Sequence, residues 1–197
     1  MSRLSSTGIR TVTRKIGTLV LIGVGMTSLV GRSSPRPIDR RNFEVVGLTL
    51  FKDEVGDAEH VLGHADVTHP RGSMFPQRCY ASLGNDHTAL VLEDWAGTLV
   101  GFRIFRADRE TIKHCTRTAA VSSRISTGGG LRLGLTEDDV LKLLGTPTKK
   151  TQNTFIYREN VESSSKPTEG LSEYTEMELQ FGNAKTISIH VIHTVRD

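Results

Sequence analysis

The sequence predicts an α+β protein made of two tandem helix-plus-antiparallel-sheet repeats behind an N-terminal signal or anchor segment. Three observations predict it. A capped amphipathic helix is written at 137–144 and again, more weakly, after Asp53. A pair of alternating apolar segments at 90–105 recurs at 177–192 with a constant offset of 87. An apolar run at 16–31 follows a basic, acid-free N-terminus. The division that follows is a leader at 1–34, a linker at 35–42, repeat one at 43–113, a connector at 114–125 and repeat two at 126–197.

The leader places Arg10, Arg14 and Lys15 before the 16-residue apolar run 16–31, the pattern of a secretory signal. The run is short for a membrane span, which takes about 20 apolar residues. Both a cleaved signal peptide and an uncleaved signal anchor fit, and the acid-free, Arg- and Ser-containing start also permits a mitochondrial presequence. The expected location is extracytoplasmic, periplasmic or secreted, with 16–31 the only route to the inner membrane. The formal net charge of +3 belongs to this leader: its five bases leave 20 bases against 22 acids in the rest, about −2. Nucleic acid is therefore not an expected partner. Residues 32–41, with two prolines, two serines and four arginines, read as a solvated linker.

The second copy of the helix is the better spelled. Thr136 can cap it, Glu137, Asp138 and Asp139 meet the positive end of its dipole, and Val140, Leu143 and Leu144 make an apolar stripe. Gly145 and Pro147 stop it. In the first copy Asp53 caps, Val55, Ala58, Val61 and Leu62 form the stripe, and Gly63 ends the helix. Gly56 inside it costs about 1 kcal/mol relative to alanine.

Downstream, Cys79-Tyr80 matches Ile156-Tyr157 at an offset of 77. In the hairpins Leu90, Leu92, Val100, Phe102 and Ile104 align with Met177, Leu179, Ile187, Ile189 and Val191. The turns are placed at Ala96-Gly97 and Gly182-Asn183. The change of offset from 77 to 87 locates a ten-residue enlargement in the polar loop 159–173. A lone three-stranded sheet with one helix leaves its apolar face poorly covered, so two units are expected to share a core.

The phrase Gly134, Leu135, Thr136, Glu137, Asp138, Asp139, Val140 followed by Leu144, Gly145, Thr146, Pro147 resembles the signature of the SmpA/OmlA (BamE-like) envelope lipoproteins. The tandem pattern is similar to the β-lactamase inhibitor protein fold. The first copy has Phe51 or Lys52 where the signature has glycine and Ala65 where it has proline, and no lipid-acceptor cysteine follows the leader. The resemblance implies an extracytoplasmic, protein-contacting protein, and it carries no catalytic residues.

Candidate chemistry is sparse. Cys79 and Cys115, the only cysteines, read as a disulfide closing a loop of about 36 residues, with two buried thiols as the alternative. His60, His64, Asp57 and His69 lie close in sequence, but Gly63 interrupts the helix between the histidines, so they read as surface side chains and no metal is expected. His190 and His193, three apart in a strand, point to opposite faces. The 126–130 glycine run lacks the lysine of a phosphate loop and reads as a flexible joint between repeats. Glu93 and Arg103 read as solvated cross-strand charges. Trp95, at a hairpin turn, either caps the core or stands out as a contact anchor. No cofactor and no catalytic residue is expected. The function predicted is a non-enzymatic extracytoplasmic protein-binding module, of the envelope-assembly or inhibitor kind, whose partner is another extracytoplasmic or envelope protein. The alternatives are a small-ligand carrier with a pocket between the repeats and, behind it, a Ser or Cys hydrolase.

Overall fold

A computed structural model describes residues 37–160 and 172–196. The leader, the start of the linker and most of the 159–173 loop lie outside the described residues. In chain order the elements are a 3-10 turn (Arg40–Phe43), β1 (Glu44–Val45), β2 (Leu48–Thr49), α1 (Val55–Leu62), β3 (Val67–Thr68), β4 (Gln77–Ser82), β5 (Thr88–Trp95), β6 (Thr98–Arg106), α2 (Arg109–Lys113), β7 (Thr116–Thr118), α3 (Glu137–Leu144), β8 (Lys149–Lys150), β9 (Thr154–Asn160), β10 (Ser172–Gly182) and β11 (Lys185–Arg196).

The tandem helix-plus-sheet repeat is overturned. Nine strands form one sheet in the order β3-β4-β5-β6-β11-β10-β9-β8, with β7 pairing parallel to β4. Every other pairing in it is antiparallel, and the helices are few and short. The seam is β6 against β11, where Gly101–Phe105 pair with Ile192–Ser188. Each hairpin alone would leave a row of unpaired backbone groups along its inner strand, and this ladder satisfies both rows at once. The stretch 114–125, read as a connector, supplies β7 and the buried Val121 and Ile125. Among the described residues the sheet runs unbroken from β3 to β8.

The local elements follow from their residues. In α3, Thr136 Oγ1 accepts from Asp139 N (3.2 Å) and Asp139 Oδ2 accepts from Thr136 N (3.2 Å), a reciprocal capping box. The Thr136 hydroxyl, which also donates to Asp139 Oδ2 (2.7 Å), and after it the Thr136 N–H hold the Asp139 carboxyl below its ordinary pKa. The cap of α1 is Glu54, one residue beyond Asp53, with Asp57 Oδ2 accepting from Glu54 N (2.9 Å). Asp53 instead accepts from Thr49 N (2.7 Å). Ala58, Leu62, Val140 and Leu144 are buried, whereas Val61 and Leu143, placed on the stripes by spacing, are exposed. Both hairpins turn on two residues with positive φ, Ala96-Gly97 and, one position later than expected, Asn183-Ala184. That twist matches the right-handed twist of the strands.

Register assigns the faces. Tyr80, Leu90, Ile104, Ile189, Leu179 and Phe155 lie across one row, and Leu92, Phe102, Val191, Met177 and Tyr157 across the next. All are buried, in one cluster with Ala58, Leu62, Val140 and Leu144 of the helices and with Phe43, Val45, Leu48, Leu131 and Leu133. The linker's end belongs to this body, since Ile38, Asn42 and Phe43 are buried. Tyr157 ties strand to helix by donating to Gly145 O (3.1 Å), and burial pushes its phenol up to about 12.

Candidate functional site

The alternate positions of the same strands form the sheet's outer face. One row runs Gln77, Glu93, Gly101, Ile192, Glu176, Arg158, and its neighbour Cys79, Val91, Arg103, His190, Glu178, Ile156. Glu93, read from sequence as a solvated charge, is only 3% exposed. A buried carboxylate must find donors. Gln77 Nε2 donates to Oε1 (2.7 Å), and His190 Nε2 lies 3.3 Å from Oε2.

His190 is two strands away, and the contact exists because Gly101 lies between. A Cβ there would stand 2.7 Å from Glu93 Oε2 and 3.1 Å from Val191 O. The missing side chain opens a window through which Glu93 crosses β6. Arg103 is also not the cross-strand partner of Glu93, since it sits opposite Val91. Its guanidinium lies 5.4 Å from the Phe105 ring centroid, and its Nε is buried with no hydrogen-bond partner among the described residues. The sequence signal for this cluster was Gly101 itself, a lone glycine inside an alternating strand, which often marks close approach.

The loop 70–75 is pinned over one edge of this face. Gln77 Nε2 also donates to Ser73 Oγ (3.3 Å), and Ser73 Oγ donates to Phe75 O (2.8 Å). Beneath it Glu93, Arg103 and His190 line a cleft of about 390 Å³. Phe75 is buried and meets Trp95 edge to face at 5.7 Å. Trp95 is nevertheless 60% exposed and Met74 69% exposed, so an apolar pair stands at this end of the outer face.

The remaining sequence candidates are dispersed. Cys79 and Cys115 form the disulfide. Disulfides persist in oxidising compartments, so the bond speaks for an extracytoplasmic location. No helix among the described residues is long and apolar enough to cross a membrane. His64 Nδ1 lies 3.0 Å from Glu59 Oε1, and no group of three or more His, Cys, Asp or Glu side chains is placed to hold a metal among the described residues. His190 faces outward, while His193 meets Phe51 edge to face at 4.8 Å on the other side. Ser123 N donates to Asp86 Oδ2 (2.7 Å).

The glycine run is not a loose joint. Gly128 N donates to Glu44 O (2.9 Å) and Gly129 N to Arg41 O (3.1 Å), and a Cβ on Gly129 would fall 2.1 Å from Asn42 Oδ1. These glycines admit the 40–44 backbone against the body. A further cleft, about 570 Å³, is lined by Arg40, Phe43, Leu50, Phe51, Glu159 and Thr175. Comparison with family models, with curated proteins and with solved structures finds no match to this chain.

Proposed function

We propose that the chain is a non-enzymatic extracytoplasmic binding module that engages another envelope protein through the outer face of its sheet. The observation that supports this most directly is the asymmetry of the two faces. One is sealed by helices and by the segments 38–50 and 121–135. The other presents half-exposed Arg103, Phe105, Ser188, His190, Ile192 and Glu178, with no helix across them among the described residues. The edges are poor docking strands: β3 and β8 are two residues each, and β8 is Lys149-Lys150. Trp95 and Met74 supply the exposed large side chains that anchor interfaces. The polar Glu93, Gln77, His190 group beneath the loop gives the face a rigid floor.

The test is site-specific photocrosslinking of the full chain in its native envelope, with the photoreactive group at Trp95, Ser188 or Gln180, and at Lys142 on α3 as control. The reading expects one protein adduct from the three outer-face positions and none from Lys142. Adducts from Lys142 alone, or none from folded protein at its native level, would sink it.

A second reading, a small-ligand carrier, draws on the 570 Å³ cleft, whose size suits a small molecule. Retention of a small molecule on purified full chain, lost in Phe51→Asp, would favour it.

A further inference from the structure

We propose that the cleft between the β4–β5 turn and α2 is a binding site for a phosphate or sulfate group. This does not depend on the protein-binding reading. The cleft, about 530 Å³, is lined by Asn85, His87, Arg109, Ile112, Lys113 and Arg117, and no carboxylate lines it.

The walls are built rather than incidental. The turn is fastened by two guanidiniums, Arg106 donating to Asp86 O and Arg117 Nη2 donating to Gly84 O (3.1 Å). The Asp86 carboxylate is occupied with Thr88 N (3.0 Å) and Ser123 N (2.7 Å). Opposite, α2 sets Arg109 and Lys113 four residues apart, which puts both on one side of the helix. Cys115, just beyond α2, also lines the cleft, and its bond to Cys79 staples this end of the helix to β4.

The charge is available to a ligand. The three neighbouring acids are already engaged: Asp86 as above, Asp108 with Thr111 N (2.8 Å), and Glu110 with Lys113 Nζ (2.7 Å). The last pair is well exposed, with side chains 64% and 76% accessible, and such pairs are weak and exchangeable. Arg109 makes no ion pair among the described residues. A tetrahedral oxyanion presents acceptors in several directions, and two planar guanidinium forks with an ammonium match it from different walls. The volume exceeds what the oxyanion alone needs, leaving room for the molecule that carries it. That carrier is either a soluble ester or a lipid headgroup, and exposed Leu83 on the same turn stands beside the cleft.

The experiment titrates the isotope-labelled full chain with inorganic phosphate and with sulfate, using chloride at matched ionic strength as the control. It reads the amide shifts of residues 84–87 and 109–117. A second arm measures co-sedimentation with phosphatidylcholine vesicles with and without phosphatidylglycerol. The expected result is a saturable shift confined to those amides, weakened at least tenfold in Arg109→Gln/Lys113→Gln and unchanged in Arg124→Gln. All three side chains are exposed, so unchanged thermal midpoints verify the fold. Saturation by free oxyanion without vesicle preference assigns a soluble ester. Anionic-vesicle binding that needs Arg109 and Lys113 assigns a headgroup. Shifts that chloride reproduces, binding that the double variant retains in full, or no binding in either arm overturns the site.

Discussion

At the scale of single residues, two glycines decide more than the charged groups around them. Gly101 lets Glu93 cross a strand to His190, so the outer face has a buried acid where alternation alone predicts a solvated one. Filling that window forces the carboxylate or the β11 backbone to move. Gly101→Ala is expected to lower stability by about 1–3 kcal/mol, the usual range for an added methyl in a packed site. Urea denaturation measures it, and the penalty should shrink when Glu93→Ala is already present, because neighbouring substitutions are not additive. An identical penalty in both backgrounds would move the clash to the Val191 carbonyl. Gly129 plays the same part against Asn42, and its role was hidden because a run of glycines looks alike in sequence whether it is loose or tightly packed.

At the scale of elements, legibility followed the range of the interactions. Helix α3 could be read nearly to the residue because cap, stripe and stop all lie within a dozen positions of one another. Replacing Thr136 by alanine removes the acceptor for Asp139 N, and should cost about 1 kcal/mol, a typical loss for an N-cap, seen as a lower thermal midpoint. No change would mean that the Asp139 carboxylate holds the first turn unaided. The hairpins were legible for a similar reason, since period-two alternation across a short turn is local. By contrast α2, β7 and the two-residue edge strands carry no pattern long enough to see. The positions of α2 and β7 depend on the disulfide and on β4, which is distant in sequence. Val61 and Leu143 fit the apolar stripes by spacing but stand exposed, because periodicity gives a direction and only the opposing surface decides burial. The outer-face cluster was only half legible for the same cause: Gly101 marks a close approach, but Gln77, Glu93 and His190 meet only through the order of strands.

At the scale of the whole molecule, four of the five matched pairs at the offset of 87 face the core, the pair of Val100 with exposed Ile187 does not, and all are silent on how many cores there are. The pairing of β6 with β11 and the shared cluster give one. The disulfide allows this to be tested, since Cys79 in β4 and Cys115, next to the β7 strand that pairs with β4, both lie on the β4–β5 side of the seam. Cutting it frees a loop whose ends are 36 positions apart, for which the chain-entropy model gives about 3–4 kcal/mol. Were the halves independent, reduction would weaken β4 and β5 and leave β9 and β10 untouched. With one core, every strand opens together, so native-state amide exchange of the slowest amides in β5 and β10 should accelerate by the same factor on reduction. Acceleration in β5 alone would restore two separately stable units. A common factor would mean that a bond on the outer face beside α2 also sets the stability of strands on the far side of the seam, because the continuous ladder has no place at which one half can unfold without exposing the other's core.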